Sequence, residues 1–276
     1  MDESGYTSVD GLVVSLDGPL LRLRLDRPSK RNAVDDAMVS GLIEALDIAN
    51  RDERVRCVLL SAEGDHFCGG ADIVARNAGV DGVGRAARPR VGSIQRRLPS
   101  QAHRLIAKVL TVQIPVVTAV RGTAAGIGLH LAIASDFCIA AVDARLWEPF
   151  STRGFTPDSA GTWLLPRLLG PVAARRMLFL GQSLTGRDAV AAGLVHEAVE
   201  AADVDTVAES LALELAAGPT VSLGLTKWLM LVGSTTTLDD HLQNEALAME
   251  LSSRSEDFRE GLEAFTDRRP PEFTGR

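Results

Sequence analysis

One carboxylate, Asp158, stands in the stretch "GFTPDSAGTWLLPRLLG" (154–170), whose prolines and glycines restrict the backbone to few paths. A carboxylate so placed has two uses. It can carry a proton between two atoms of a substrate, or it can cap the helix that "SAGTWLL" begins. Upstream, His130 in "GIGLHL" offers a side chain of a type that titrates near neutrality. Two glycine-containing turns, "GDHFCGGAD" (64–72) and "RGTAAGIGLHL" (121–131), each follow an apolar run. Glycine lets a backbone approach a ligand closely, and a helix starting just beyond it leaves unpaired N–H groups pointing outward. Two such turns side by side would supply a pair of donors for a developing oxyanion. Taken singly, each is an ordinary strand-to-helix turn. Cys68 lies beside the first turn with no base visibly paired to it, so it reads as a small buried thiol.

The elements that must position these residues are those of an α/β protein. "GLVVSL" and "LLRLRL" alternate on either side of "DGP", which predicts a hairpin over Gly11 to Leu25. "AVDDAMVSGLIEALDIANRD" has apolar residues at helical spacing, with acids at its start. "VRCVLLSAEG", "PVVTAVRG" and "DFCIAA" are short apolar runs that predict buried strands, with a helical "LHLAIAS" between the last two. Strand, helix and strand in this order imply parallel pairing by right-handed crossovers. From Ala75 to Arg97 the chain is rich in glycine and arginine and lacks periodicity. It predicts a surface loop leading into a helix near Ile94 to Leu110. From Asp203 onward the pattern is helical, with Thr237 and Ser255 as N-caps. The expected division is a core over 1–202 and a helical region over 203–276.

Composition narrows the class. A 276-residue chain is ample for a substantial core. The net charge of −7 argues against a general nucleic-acid surface. No apolar run reaches membrane-spanning length, and the polar "MDESGYTSVDG" has no leader character. The three cysteines all lie in apolar runs, which fits free thiols in a reducing setting. The expectation is a soluble cytoplasmic protein without metal or redox cofactor, since neither a ligand cluster nor a nucleotide fingerprint occurs.

Six blocks, in order, carry a resemblance over nearly the whole chain. They are "LDRPSKRNAV" (25–34), "GDHFCGGADI" (64–73), "IPVVTAVRGTAAGIGLHLAIASDFCIA" (114–140), the Asp158 stretch, "SLTGRDAVAAGLVHEAV" (183–199) and "EDFREGLEAFTDRRPPEF" (256–273). Together they resemble the crotonase superfamily, the enoyl-CoA hydratase/isomerase family. The resemblance implies a spiral of ββα units with C-terminal helices that build homotrimers, often paired into hexamers. It also implies acyl-CoA thioester substrates, CoA being carried by the substrate. Position by position, the oxyanion donors are the amides of Ala71 and Ile127. Relatives often have glycine or alanine at the second, so the branched Ile127 is a departure that could narrow the pocket. Arg31, Ala33, Gly69, Asp72 and Ile73 match the CoA groove. Phe265 and Arg268 match C-terminal residues that reach CoA, often from a neighbouring subunit.

The resemblance also separates this chain from the hydratases. Those enzymes carry two glutamates, at positions matching His130 and Phe150 here. Glu148 lies nearby, but bringing it into register would break the match at Pro149 and Gly154. "PD" followed by small residues and "TWLLPR" is instead similar to the phenylacetate-pathway isomerases, in which an aspartate at this position is the acid/base. The reading is therefore an enoyl-CoA isomerase using Asp158, which also caps its helix, with His130 as a second acid/base or a pocket residue. The alternatives are a hydratase using His130 or Glu148, and an acyl-CoA-binding protein with little catalysis.

Overall fold

The computed structural model describes residues 5–72 and 91–276. The alternating N-terminal residues form β1 (Leu12–Asp17) and β2 (Leu20–Leu25), an antiparallel hairpin whose apolar side faces the core. Asp35 caps α1 (Asp36–Ala49) by accepting from the Ala37 and Met38 N–H groups, and the helix buries Leu42, Ile43 and Leu46. The three apolar runs become β3 (Cys57–Ala62), β4 (Val116–Val120) and β6 (Phe137–Ala141). With β9 (Glu197–Val199) they complete a sheet in the order β1-β2-β3-β4-β6-β9, parallel from β2 onward. β4 is buried at every position, as expected of a parallel strand covered on both faces.

A second, three-stranded sheet consists of β5 (Thr123–Ala125), β7 (Arg145–Trp147) and β8 (Leu184–Thr185). β4, β5 and α4 (Ile127–Ala134) make one strand–strand–helix unit. β6, β7 and α5 (Gly161–Leu180) make the next. α4 is buried at all its positions, so it runs through the centre of the molecule. α5 is interrupted at Gly170 (φ 73°, ψ 163°), just before Pro171.

The segment predicted as one helix near Ile94–Leu110 is divided. α2 (Ser93–Arg97) gives way to a 3₁₀ turn over Leu98–Ser100, and α3 (Ala102–Thr111) starts afresh. Pro99 cannot donate to a helix, and Gln101 takes non-helical angles (φ −122°, ψ −104°). Most of the loop predicted over 75–97 lies outside the described residues.

After α6 (Gly186–Ala191), the C-terminal part is helical as expected, in α7 (Val204–Ala216), α8 (Thr220–Gly233), α9 (Leu238–Ser252) and α10 (Glu256–Asp267). Thr237 accepts from the Asp240 N–H and Ser255 from the Phe258 N–H, so both are N-caps. α7 buries Val204, Ala208 and Ala212 on β3, β4 and β6. The sheet-packed layer thus extends past the boundary at 202 to Ala216, because α7 carries a stripe of small residues that lie flat on the sheet. α8 is riveted to the same layer by Lys227, whose Nζ reaches Asp136 (2.7 Å) and the Val109 carbonyl (2.9 Å).

Candidate active site

The two glycine turns are stitched together by backbone bonds. The Phe67 N–H donates to the Arg121 carbonyl (2.8 Å) and the Cys68 N–H to that of Thr123 (2.9 Å). The Ala125 N–H donates back to the Cys68 carbonyl (2.9 Å). The approach requires glycine. A Cβ on Gly128 would lie 2.6 Å from Cys68 Cβ, and one on Gly122 (φ +54°) would lie 2.6 Å from His66 Nδ1.

Ala71 and Ile127 stand on this joined rim. Val34 forms a parallel bridge with Ala71. Its N–H donates to the Gly70 carbonyl, and its carbonyl accepts from the Asp72 N–H, each at 2.9 Å. In such a bridge the bonds flank the central residue, whose own N–H points the other way. Ile127 opens α4, where the first N–H groups have no intrahelical partner. Gly126 before it takes φ 53°, ψ −124°, which aims the helix start. Among the described residues neither amide is matched to an acceptor. The Ile127 side chain is 4 % exposed and packs into the hydrophobic core. The branched side chain is thus accommodated in the core while the amide keeps its place on the rim.

Asp158 is half-buried, and its Oδ1 accepts from the Ser159 hydroxyl (2.8 Å). It does not cap the following helix with its side chain, contrary to the sequence expectation. Ser159 and Ala160 both adopt left-handed angles (φ 51° and 65°), which delays α5 to Gly161. The N-cap position falls to Ala160, and Asp158 contributes only its carbonyl, accepting from the Gly161 N–H (3.1 Å).

His130 and Glu148 form a pair that the spacing did not predict. Nε2 and Oε1 are 2.6 Å apart, with both side chains 0 % exposed. His130 Nδ1 and Glu148 Oε2 have no partner among the described residues. The Phe150 ring lies parallel to the imidazole, with centroids 6.1 Å apart, and meets Phe155 edge-on. Phe150 therefore fills the second glutamate position with an aromatic wall. Cys68 is buried, and burial pushes its thiol up to about 11, which keeps it protonated and unreactive.

Of the expected CoA-groove residues, Arg31, Ala33 and Gly69 come together. Gly69 N–H donates to the Arg31 carbonyl (2.7 Å), and Arg31 holds φ 50° with its side chain exposed. Asp72 is buried, and its Oδ2 is 3.1 Å from both Arg27 and Lys30, so its carboxylate serves the loop's own cations. Ile73 lies outside the described residues. Phe265 is 84 % exposed on α10, and Arg268 follows it with φ 57°. Asn32, absent from the sequence expectations, organises this loop. It is fully buried, its Oδ1 accepts from the Arg27 N–H (2.7 Å), and its Nδ2 donates to the Glu63 and His66 carbonyls (2.8 and 2.6 Å). Its only sequence signal was its place in "SKRNAV".

A spiral of ββα units, with two amides on one rim that have no acceptor among the described residues and a carboxylate on the next turn, has the architecture of the crotonase fold. Residues 17–276 match the enoyl-CoA hydratase/isomerase family, and the chain belongs to it. It is 39 % identical to the 1,2-epoxyphenylacetyl-CoA isomerase of Escherichia coli, over 93 % of this chain and 95 % of that one. It is 34 % identical to a Rhodobacter capsulatus protein named "Probable enoyl-CoA hydratase", over 92 % and 94 % respectively. The crystal structure of an enoyl-CoA hydratase from a Polaromonas species superposes with a TM-score of 0.87 at 30 % identity, covering 95 % of this chain and 99 % of that one.

Proposed function

We propose that this enzyme is an isomerase that shifts a double bond in the acyl part of a CoA thioester, with Asp158 as its acid/base. The observation that carries the reading is the pattern of carboxylates. Asp158 is half-buried on the turn before α5, whereas Glu148 is fully buried and committed to His130. A hydratase of the two-glutamate kind has no second carboxylate to use here.

In the forward direction Asp158 takes a proton from the carbon next to the thioester of a 3-enoyl-CoA. The electron pair moves to the thioester oxygen, where the Ala71 and Ile127 N–H groups stabilise the enolate. Preorganised donors of this kind are worth about 3–4 kcal/mol each. The same carboxyl then returns the proton two carbons further along, giving the conjugated 2-enoyl thioester. No charge or atom is left over, so no cofactor beyond the substrate's own CoA is needed. Arg31, Ala33 and Gly69 would receive the CoA. Among the described residues no cluster of side chains is suited to a metal ion.

Assembly into a homotrimer, or a dimer of trimers, belongs to the same proposal. It is supported by apolar side chains left exposed on the C-terminal helices, including Met230, Leu242, Leu247, Leu262 and Phe265. In such an assembly Phe265 and Arg268 would reach a neighbour's CoA. Three buried free thiols support a reducing, cytoplasmic setting.

The test compares wild type with Asp158→Asn on 3-enoyl-CoA thioesters, following the absorbance of the conjugated product, with 1,2-epoxyphenylacetyl-CoA in the same panel. Turnover that disappears in the variant, with binding of a saturated acyl-CoA intact, is the expected result. Equal turnover in both would move the chemistry away from Asp158. Loss of absorbance from a 2-enoyl-CoA by hydration, undiminished in Asp158→Asn, would make the enzyme a hydratase.

A further inference from the structure

The His130–Glu148 pair takes no part in the chemistry just proposed, yet it is the most completely buried polar contact next to it. Both side chains are fully enclosed, so each depends on the other for its polar contact. Buried ion pairs of this kind are poor sources of stability compared with apolar residues of the same shape. Nδ1 and Oε2, without a partner among the described residues, make this one poorer still. A role outside stability is therefore the better account of it.

What the imidazole touches indicates that role. Gly161, the first residue of α5, stands directly on the ring. A Cβ there would overlap Nε2 and lie 2.7 Å from Cε1. Gly161 closes the turn that starts at Asp158, through its N–H on the Asp158 carbonyl. Between them Ser159 and Ala160 hold left-handed angles that side-chain-bearing residues adopt only when their surroundings enforce them. Ser159 is buried, and its hydroxyl is the group on the Asp158 carboxylate. Glu148 holds the same Nε2 in the ring plane, and the Phe150 ring lies parallel to the imidazole with centroids 6.1 Å apart.

We propose that His130 and Glu148 are positioning residues. They hold the imidazole as a fixed floor under the Asp158–Gly161 turn, and so determine where the Asp158 carboxylate stands, without exchanging protons with the substrate. The inference rests on the reading of Asp158 as the acid/base.

Steady-state kinetics on a 3-enoyl-CoA tests it. Gly161→Ala pushes the turn off the ring, and His130→Ala removes the floor. A displacement of about 1 Å is expected to lower kcat roughly 100-fold in each, with KM nearly unchanged because the CoA groove lies on other elements. In His130→Ala/Gly161→Ala the new methyl enters the space the ring vacated, and kcat recovers at least about tenfold over Gly161→Ala alone, a non-additivity characteristic of contacting residues. Glu148→Gln, whose amide can still hydrogen-bond Nε2, recovers most of the kcat that Glu148→Leu loses. Binding of a saturated acyl-CoA shows that each variant is folded. Additive losses in the double variant would overturn the inference, as would Glu148→Gln being as slow as Glu148→Leu, which would tie kcat to the carboxyl group itself and not to the position it holds. Full activity in Asp158→Asn is the separate result that removes the reading of Asp158 beneath it.

Discussion

Gly128 lies against Cys68 so closely that a methyl group on its Cα would sit 2.6 Å from both the Cβ and the carbonyl oxygen of that cysteine. This contact sets the separation of the two turns bearing Ala71 and Ile127. Gly128→Ala must therefore spread the rim, because the obstacle is partly backbone. The expected outcome is a stability loss of about 1–3 kcal/mol from overpacking. Turnover should fall further than stability explains. Thermal unfolding and kcat measured on the same preparation check both parts.

Ile127→Pro removes the N–H proposed as one oxyanion donor with little disturbance to the helix, since Ile127 occupies the first position of α4, where proline is tolerated. The loss of its buried side chain costs about 1–2 kcal/mol of stability. The deleted N–H should lower kcat by about 10²–10³-fold. Ile127→Ala keeps the amide and is the control. A proline variant no slower than the alanine variant would take Ile127 out of the oxyanion hole.

Asn32→Ala leaves the Arg27 N–H and the Glu63 and His66 carbonyls without their partner in a buried place. A loss of about 2–4 kcal/mol follows from the unsatisfied groups. The left-handed φ of 54° adds to it, because alanine tolerates that region less well than asparagine. CoA affinity should weaken as well, since the same loop presents Arg31 and Ala33. Chemical denaturation and titration with a CoA thioester measure the two effects.

The cysteines make stability fall on the alkaline side. Burial raises Cys68 to about 11 and Cys57 and Cys138 to about 12, against 9.0 for an exposed thiol. The folded chain therefore keeps protons that the unfolded chain releases. The contribution is fully present below about pH 9 and declines as pH rises toward 11 and 12. Replacing the three thiols with alanine should flatten the slope of unfolding free energy between pH 9 and 11. In the native protein at pH 8 none of the three should react with a thiol reagent until the chain unfolds.

Local signals in the sequence account for much of this architecture. The β1–β2 hairpin follows from alternation on either side of "DGP", and Thr237 and Ser255 cap their helices through the next few residues. The two glycine turns were visible because glycine is demanded there by close approach. What the approach is made to, Cys68 and His66, depends on a neighbouring segment and leaves no local trace. The cap expected from Asp158 fails for a related reason. "PDSAG" has the composition of an N-cap, but the imidazole beneath Gly161 and the left-handed Ser159 and Ala160 delay the helix. His130 lies on α4 and Glu148 just beyond the end of β7, with no common period, so their pairing emerges only once these segments are folded together.

Ala160 illustrates how selection for robustness and selection for speed part company in this molecule. An alanine at φ 65° sits in a region that costs a side-chain-bearing residue about 1–2 kcal/mol, and glycine would relieve much of it. A screen that rewards heat resistance alone would keep Ala160→Gly as an improvement. The same change loosens the hinge that carries Asp158, the proposed acid/base, and the sturdier enzyme would be the slower one.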